Sequence, residues 1–151
     1  MDTSEAAATF TRMLHAIDAR DWRGVRAAFA DRIHIDYSSL FGVPGADVDA
    51  DPHVAGWQSF AGAFDATQHV TGPIVSVVRG ETATARTHVR AYHRMAGQTN
   101  GDIWMVAGHY EIGLRRLGGV WKIDALTLIV FYQEGNLTIP DVARARSATS
   151  Q

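Results

Sequence analysis

The chain contains no cysteine, which excludes disulfides, thiolate nucleophiles and cysteine-held zinc. No apolar run approaches ~20 residues, and the first residues carry neither the basic nor the apolar part of a signal peptide. A membrane span is therefore not expected, and a cytoplasmic location is the default expectation. There is no long run of one charge, and the formal net charge is -2, so nothing marks a nucleic-acid or membrane-binding surface. Internal repeats and low-complexity segments are also missing. What remains is an ordinary globular composition, 46% hydrophobic and 20% charged over 151 residues. That length suits one domain with a real core, here residues 1–151 with 143–151 expected to fray.

Thr3 or Ser4 can cap a first helix reaching about Ala19, with Ala6, Phe10, Met13, Leu14 and Ile17 forming one apolar stripe. Asp18 falls on the edge of that stripe, in the last turn, where the helix dipole disfavours a carboxylate by ~0.3–1 kcal/mol. Asp21 caps a short second helix from Trp22 to about Ala30. Arg32 to Tyr37 alternates as a strand, Gly42 to Asp51 reads as a loop, and Pro52 suits the first turn of a third helix, about His53 to Phe64. From there the pattern is strands: Thr67 to Arg79, bent near Gly72-Pro73, then Thr82 to Met95, Ile103 to Leu117 and Val120 to Gln133. Helices first and long hairpin-joined strands after describe an α+β domain. Its expected form is a strongly curved, mainly antiparallel (mixed) sheet wrapped around three N-terminal helices, a cone-shaped barrel with one central cavity.

On the strand from Thr82, one face carries Ala83, Ala85, Thr87, Val89, Ala91 and His93, and the other carries Arg86, His88, Arg90, Tyr92 and Arg94. His88 and His93 thus point apart and share no metal ion, and no other ligand pair has metal spacing on one face. Each polar residue on the inner face has an ordinary reading: a lone buried histidine or tyrosine is usually satisfied by a neighbouring backbone group. His15, His34, His53 and His109 are read in that way, as surface or structural. Together, however, Asp18, Tyr37, His69 and His93 make a chemical set. A neutral imidazole accepts a proton near neutral pH, a carboxylate on its far nitrogen fixes the tautomer, and a phenol donates to a developing enolate. The set suits proton abstraction beside a carbonyl followed by loss of a leaving group, with no metal or organic cofactor.

Ile17-Asp18-Ala19-Arg20-Asp21-Trp22, Ile33 to Leu40, Thr67-Gln68-His69 and Val89-Arg90-Ala91-Tyr92-His93-Arg94 carry a further likeness. In order and spacing they resemble the SnoaL-like branch of the nuclear-transport-factor-2-like superfamily, and within it most resemble scytalone dehydratases. Gly119-Val120-Trp121-Lys122-Ile123 is shared across the wider superfamily. The resemblance implies the helix-filled cone and cofactor-free dehydration. It makes Asp18 the orienting carboxylate, His69 the base and proton shuttle, Tyr37 the group polarising the carbonyl, and His93 a residue that assists the leaving hydroxyl or binds substrate. The Asp18–His69 pair is also similar to the dyad of hexachlorocyclohexane dehydrochlorinase and bile-acid dehydratase relatives.

The chain departs from that pattern. The dehydratases' tyrosine before the aspartate is Ile17, their serine and asparagine fall at Gly108 and Tyr110, and the dehydrochlorinase arginine falls at Leu126. The substrate contacts expected here are Ile17, Leu14, Tyr110, Leu126, Leu128 and Val89, which implies a more apolar substrate than scytalone. The leading expectation is a cofactor-independent dehydratase of a small, largely apolar hydroxy-carbonyl compound. The alternatives are an isomerase or cyclase of a polyketide, terpenoid or steroid-like compound, and a non-catalytic ligand-binding or assembly domain. A homo-oligomer is expected because a curved sheet leaves an outer face to be covered, and the family resemblance implies a trimer before a dimer.

Overall fold

The computed structural model describes residues 3–149. Helix α1 (Thr3–Asp18) buries Ala6, Phe10, Met13, Leu14 and Ile17, the stripe its spacing calls for. Each of the four larger side chains contributes on the order of 1.5–3 kcal/mol when fully buried, and the stripe seats α1 against four strands of the sheet. The chain then reverses through Arg20, a non-glycine residue at φ 60°. That conformation costs about 1–2 kcal/mol. Arg20 offsets it by donating from its guanidinium to the carbonyl oxygens of Ala61 and, at 2.8 Å, Phe64, which caps the far end of α4 (Ala50–Ala61). Asp21 caps α2 (Trp22–Ala28) by accepting from the Gly24 N–H at 2.9 Å.

β1 (Phe29–Asp36) leads into α3 (Ser38–Phe41). The stretch read as loop holds β2 (Ala46–Asp49), and α4 starts earlier than His53 and ends before Phe64. Elements of four residues are too short to show a period. The expected single strand over 67–79 is two, β3 (Ala66–Thr71) and β4 (Val75–Arg79), parted where Pro73 has no N–H to give. β5 (Thr82–Arg94), β6 (Ile103–Leu117) and β7 (Val120–Gly135) follow. The tail expected to fray from Ala143 instead forms α5 (Ile139–Thr149), with Ile139 and Ala143 fully buried. α5 packs on α4, where the Ser59 and Ser147 hydroxyls lie 2.9 Å apart; residues 150–151 of the expected tail lie outside the described residues.

The strands form one seven-stranded sheet in the order β2-β1-β7-β6-β5-β3, with β4 also paired to β5. β1 runs parallel to β7, and the other pairings are antiparallel. The mixed sheet and the helices on one face agree with the expected α+β class, but the strongly curved, cone-shaped barrel does not form: the sheet is neither curled nor closed. Closure needs the first and last strands to bond to each other; here β2 bonds only to β1, and β3 and β4 bond only to β5. The sheet stays open, with α1 and α4 over its inner face.

Between Ala107 and Gly108 the register with β7 shifts by one, which leaves Phe131 of β7 as the extra, bulged residue. A Cβ built on Gly108 would lie 2.0 Å from the Ile129 carbonyl oxygen. The position taken in the sequence as a lost serine is therefore one where backbone approaches backbone. Gly108→Ala is expected to destabilise the fold by about 3 kcal/mol, at the upper end of overpacking costs, read as a lower urea midpoint at unchanged slope.

Candidate functional site

Asp18 ends α1 and His69 lies in the middle of β3, and the packing of that helix on that strand brings them together. The Asp18 Oδ1 atom is 2.8 Å from His69 Nδ1, and its Oδ2 accepts the backbone N–H of His69 at 2.7 Å. Thr67 Oγ1 donates to Oδ1 at 2.9 Å. Burial by itself raises the pKa of the carboxyl group, but the hydrogen bonds and charge of His69, with the Thr67 hydroxyl, outweigh it and leave Asp18 below the ordinary value of 3.8. An ionised carboxylate can only accept, so Nδ1 carries a proton, and in the neutral ring Nε2 is then the nitrogen with the lone pair. Among the described residues nothing bonds to Nε2. The side chains are 10% exposed for His69 and 19% for Asp18, so the pair is largely screened from bulk water.

His69 opens onto a cavity of about 90 Å³ between the inner face of the sheet and the helices. That is smaller than the ~150 Å³ apolar cavity known to hold benzene, so as it stands the site suits a compact ligand. Met13, Leu14 and Ile17 form the α1 side of the cavity, and Trp57 and Phe60 the α4 side. From the sheet come Thr67, His93, Trp104, Tyr110 and Leu128. Asp18 is not in the wall; it stands behind His69.

His93 faces Thr67 across the β3–β5 register, and its ring lies 6.5 Å from that of His69, centroid to centroid. It stacks on Trp104 at 4.3 Å and 27°, and its Nδ1 is 3.3 Å from the Trp104 carbonyl oxygen. A carbonyl only accepts, so Nδ1 holds the proton here too. Burial first, and then the neighbouring His69, pull the His93 pKa down to about 4. The ring is accessible from the cavity but remote from bulk water, and it is neutral at ordinary pH. The sequence allowed His93 to assist a leaving hydroxyl; this tautomer makes its free nitrogen an acceptor and not an acid.

Tyr37 lines the cavity beside Trp57, with ring centroids 6.0 Å apart. Burial, followed by its interaction with Tyr110, raises its pKa well above 10.0; burial likewise pushes Tyr110 up to about 12. Both phenols stay protonated, and because their hydroxyls are hydrogen-bonded to each other the pair keeps one proton free for a ligand. Among the expected substrate contacts, Leu14, Ile17, Tyr110 and Leu128 reach the cavity. Leu126 and Val89 do not. They share the inner face, but the cavity wall does not include them.

Sequence reasoning quoted Thr67 without giving it a role and missed the aromatic wall. Trp57, Phe60 and Phe64 recur at helical spacing along and just beyond α4, which was the available signal. The His53 ring sits 4.5 Å from Trp57, its Nε2 is buried with no partner among the described residues, and burial lowers its pKa to about 4. His88 and His93 lie on opposite faces of β5. Among the described residues no group of three or more His, Asp or Glu side chains is placed to hold a metal ion, and no helix is long and apolar enough to cross a membrane.

A family model for the SnoaL-like domain matches residues 1–127. Among solved structures, the Kfla4162 protein from Kribbella flavida is similar at 28% identity and a TM-score of 0.85, over 95% of this chain and 97% of that one. A protein assigned as a scytalone dehydratase from Novosphingobium aromaticivorans matches at 19% identity and a TM-score of 0.75, over 87% and 85% of the chains. A hexachlorocyclohexane dehydrochlorinase, LinA type 2, matches at 14% identity and a TM-score of 0.69, over 88% and 87%. At those two identities the likeness is one of fold. No curated protein matches the chain.

Proposed function

Since the chain belongs to the SnoaL-like domain family, whose fold is shared with lyase-type enzymes, we propose that it is a cofactor-independent carbon–oxygen lyase. Its substrate is a small, largely apolar hydroxy-carbonyl compound, which it dehydrates. The observation that carries this reading is the 2.8 Å contact between Asp18 and His69 at the wall of an apolar cavity. His69 Nε2 takes the proton on the carbon next to the carbonyl, and Asp18 holds the imidazolium that results. The hydrogen-bonded Tyr37–Tyr110 pair supplies a donor to the carbonyl oxygen as enolate charge builds. The carbon–oxygen bond to the β-hydroxyl then breaks as the carbon–carbon double bond forms. His69 returns its proton to the departing oxygen, which leaves as water, while His93 accepts a hydrogen bond from the substrate hydroxyl beforehand.

The test uses a series of β-hydroxy ketones of rising size, starting at 4-hydroxybutan-2-one, with the wild type and His69→Ala in D2O. His69-dependent loss of the mass of water supports dehydration. An isomer of unchanged mass would move the assignment to the isomerase or cyclase reading, which uses the same dyad. Binding with neither turnover nor His69-dependent deuterium uptake beside the carbonyl would leave a ligand-binding domain and overturn the enzyme.

We propose a homo-oligomer as well, trimer before dimer. The outer face leaves Phe131 56% and Tyr132 44% exposed beside His88 and Arg90, a mixed surface that supports self-association. Sedimentation equilibrium is expected to give a multiple of the 16.5 kDa chain; a monomer at high micromolar concentration would remove the proposal.

A further inference from the structure

Thr67 and His69 are two residues apart on β3, so both side chains leave the same face of the strand. They bracket one carboxylate. Asp18 Oδ1 receives the Thr67 hydroxyl at 2.9 Å and faces His69 Nδ1 at 2.8 Å, while Oδ2 is pinned by the His69 backbone N–H at 2.7 Å. With the backbone bond alone, the carboxylate could still turn about its last torsion, which is a broad one. The Thr67 bond removes that freedom. We propose that Thr67 is the positioning residue of the Asp18–His69 pair: it locks the carboxylate in the rotation that faces Nδ1, and so keeps the lone pair on Nε2. This rests on the reading of His69 as a base. A carboxylate cannot donate, so the threonine hydroxyl spends its one proton on Asp18. Thr67, although in the cavity wall, therefore offers a ligand only acceptor lone pairs.

Thr67→Val keeps the shape of the side chain and removes the donor, and Thr67→Ser restores the donor. The full chain, labelled with 15N and 13C and free of ligand, is followed by NMR through the Asp18 carboxyl titration and the two ring-nitrogen shifts of His69. The valine variant is expected to titrate Asp18 at higher pH and to move His69 toward the tautomer protonated on Nε2. The serine variant is expected to behave as wild type. If the valine variant leaves both signals where they were, or serine fails to restore them, the proposal is wrong. Should valine not fold, Thr67→Ala is read in the same way against serine. Neither signal needs turnover, so a failed lyase assignment and a failed Thr67 assignment are told apart. On a substrate found in the ketone series, the valine variant is expected to lose about tenfold in kcat at unchanged KM, the worth of one hydrogen bond to a charged group.

Discussion

Replacing His69 with alanine is expected to lower kcat/KM by about 10²–10⁴-fold, the usual contribution of a positioned general base, with most of the loss in kcat. His69 supplies the one basic nitrogen that faces the cavity with Asp18 behind it, so removing it takes away the proton acceptor and leaves the wall intact. A purely structural role would act differently. The alanine variant also strips Asp18 of its ring partner, which costs stability, so activity must be compared at a temperature where both proteins are folded. If the variant, folded by circular dichroism, kept wild-type turnover, His69 would not be the base.

Asp18→Asn is expected to cost at least as much, about 10³–10⁴-fold in kcat, by analogy with the aspartate-to-asparagine change in the serine-protease triad. The two side chains have almost the same shape, so packing survives. The difference is the amide. Asn can turn its NH2 toward His69 Nδ1, which then becomes the acceptor, and the ring proton moves to Nε2, the nitrogen that must take the substrate proton. The variant should therefore bind substrate and fail to turn it over; a KM effect at unchanged kcat would contradict this.

The same variant has a signature in acid. The folded-state pKa of Asp18 lies below its ordinary 3.8, so the unfolded chain binds the proton more readily. The stability owed to the ionised group is complete above about 3.8 and is lost as pH falls through the lower folded value. Asp18→Asn lacks that contribution, so its urea midpoint should fall less steeply than that of the wild type between about pH 4 and 2. Parallel curves would mean that Asp18 contributes nothing to acid stability.

Much of this site was legible in the residues. An aspartate in the last turn of an apolar-striped helix sits where the dipole opposes it, and the structure supplies the partner that justifies it. Alternation along 82–94 correctly divided His93 from His88, because the period of a strand is two whatever surrounds it. Other features carried no such signal. Leu126 and Val89 were on the right face, but whether an inward side chain borders space or other atoms depends on what α1 places over it. The C-terminal helix was missed because Ile139 and Ala143 are buried only once α5 packs on α4 and β6, both far away in sequence.

By itself, then, the sequence determined the local things: the stripe of α1, the hairpins at Gly80 and Gly118-Gly119, which face each strand residue takes, and the presence of an acid, an imidazole and a phenol with compatible chemistry. Periodicity and side-chain chemistry are properties of neighbours in the chain. Tertiary structure alone decided that Thr67 clamps Asp18, that the Trp104 carbonyl sets the His93 tautomer, that aromatics from α4 wall the cavity, and that the sheet stays open. Each of those depends on distances between separate segments of the chain, and only packing sets such distances.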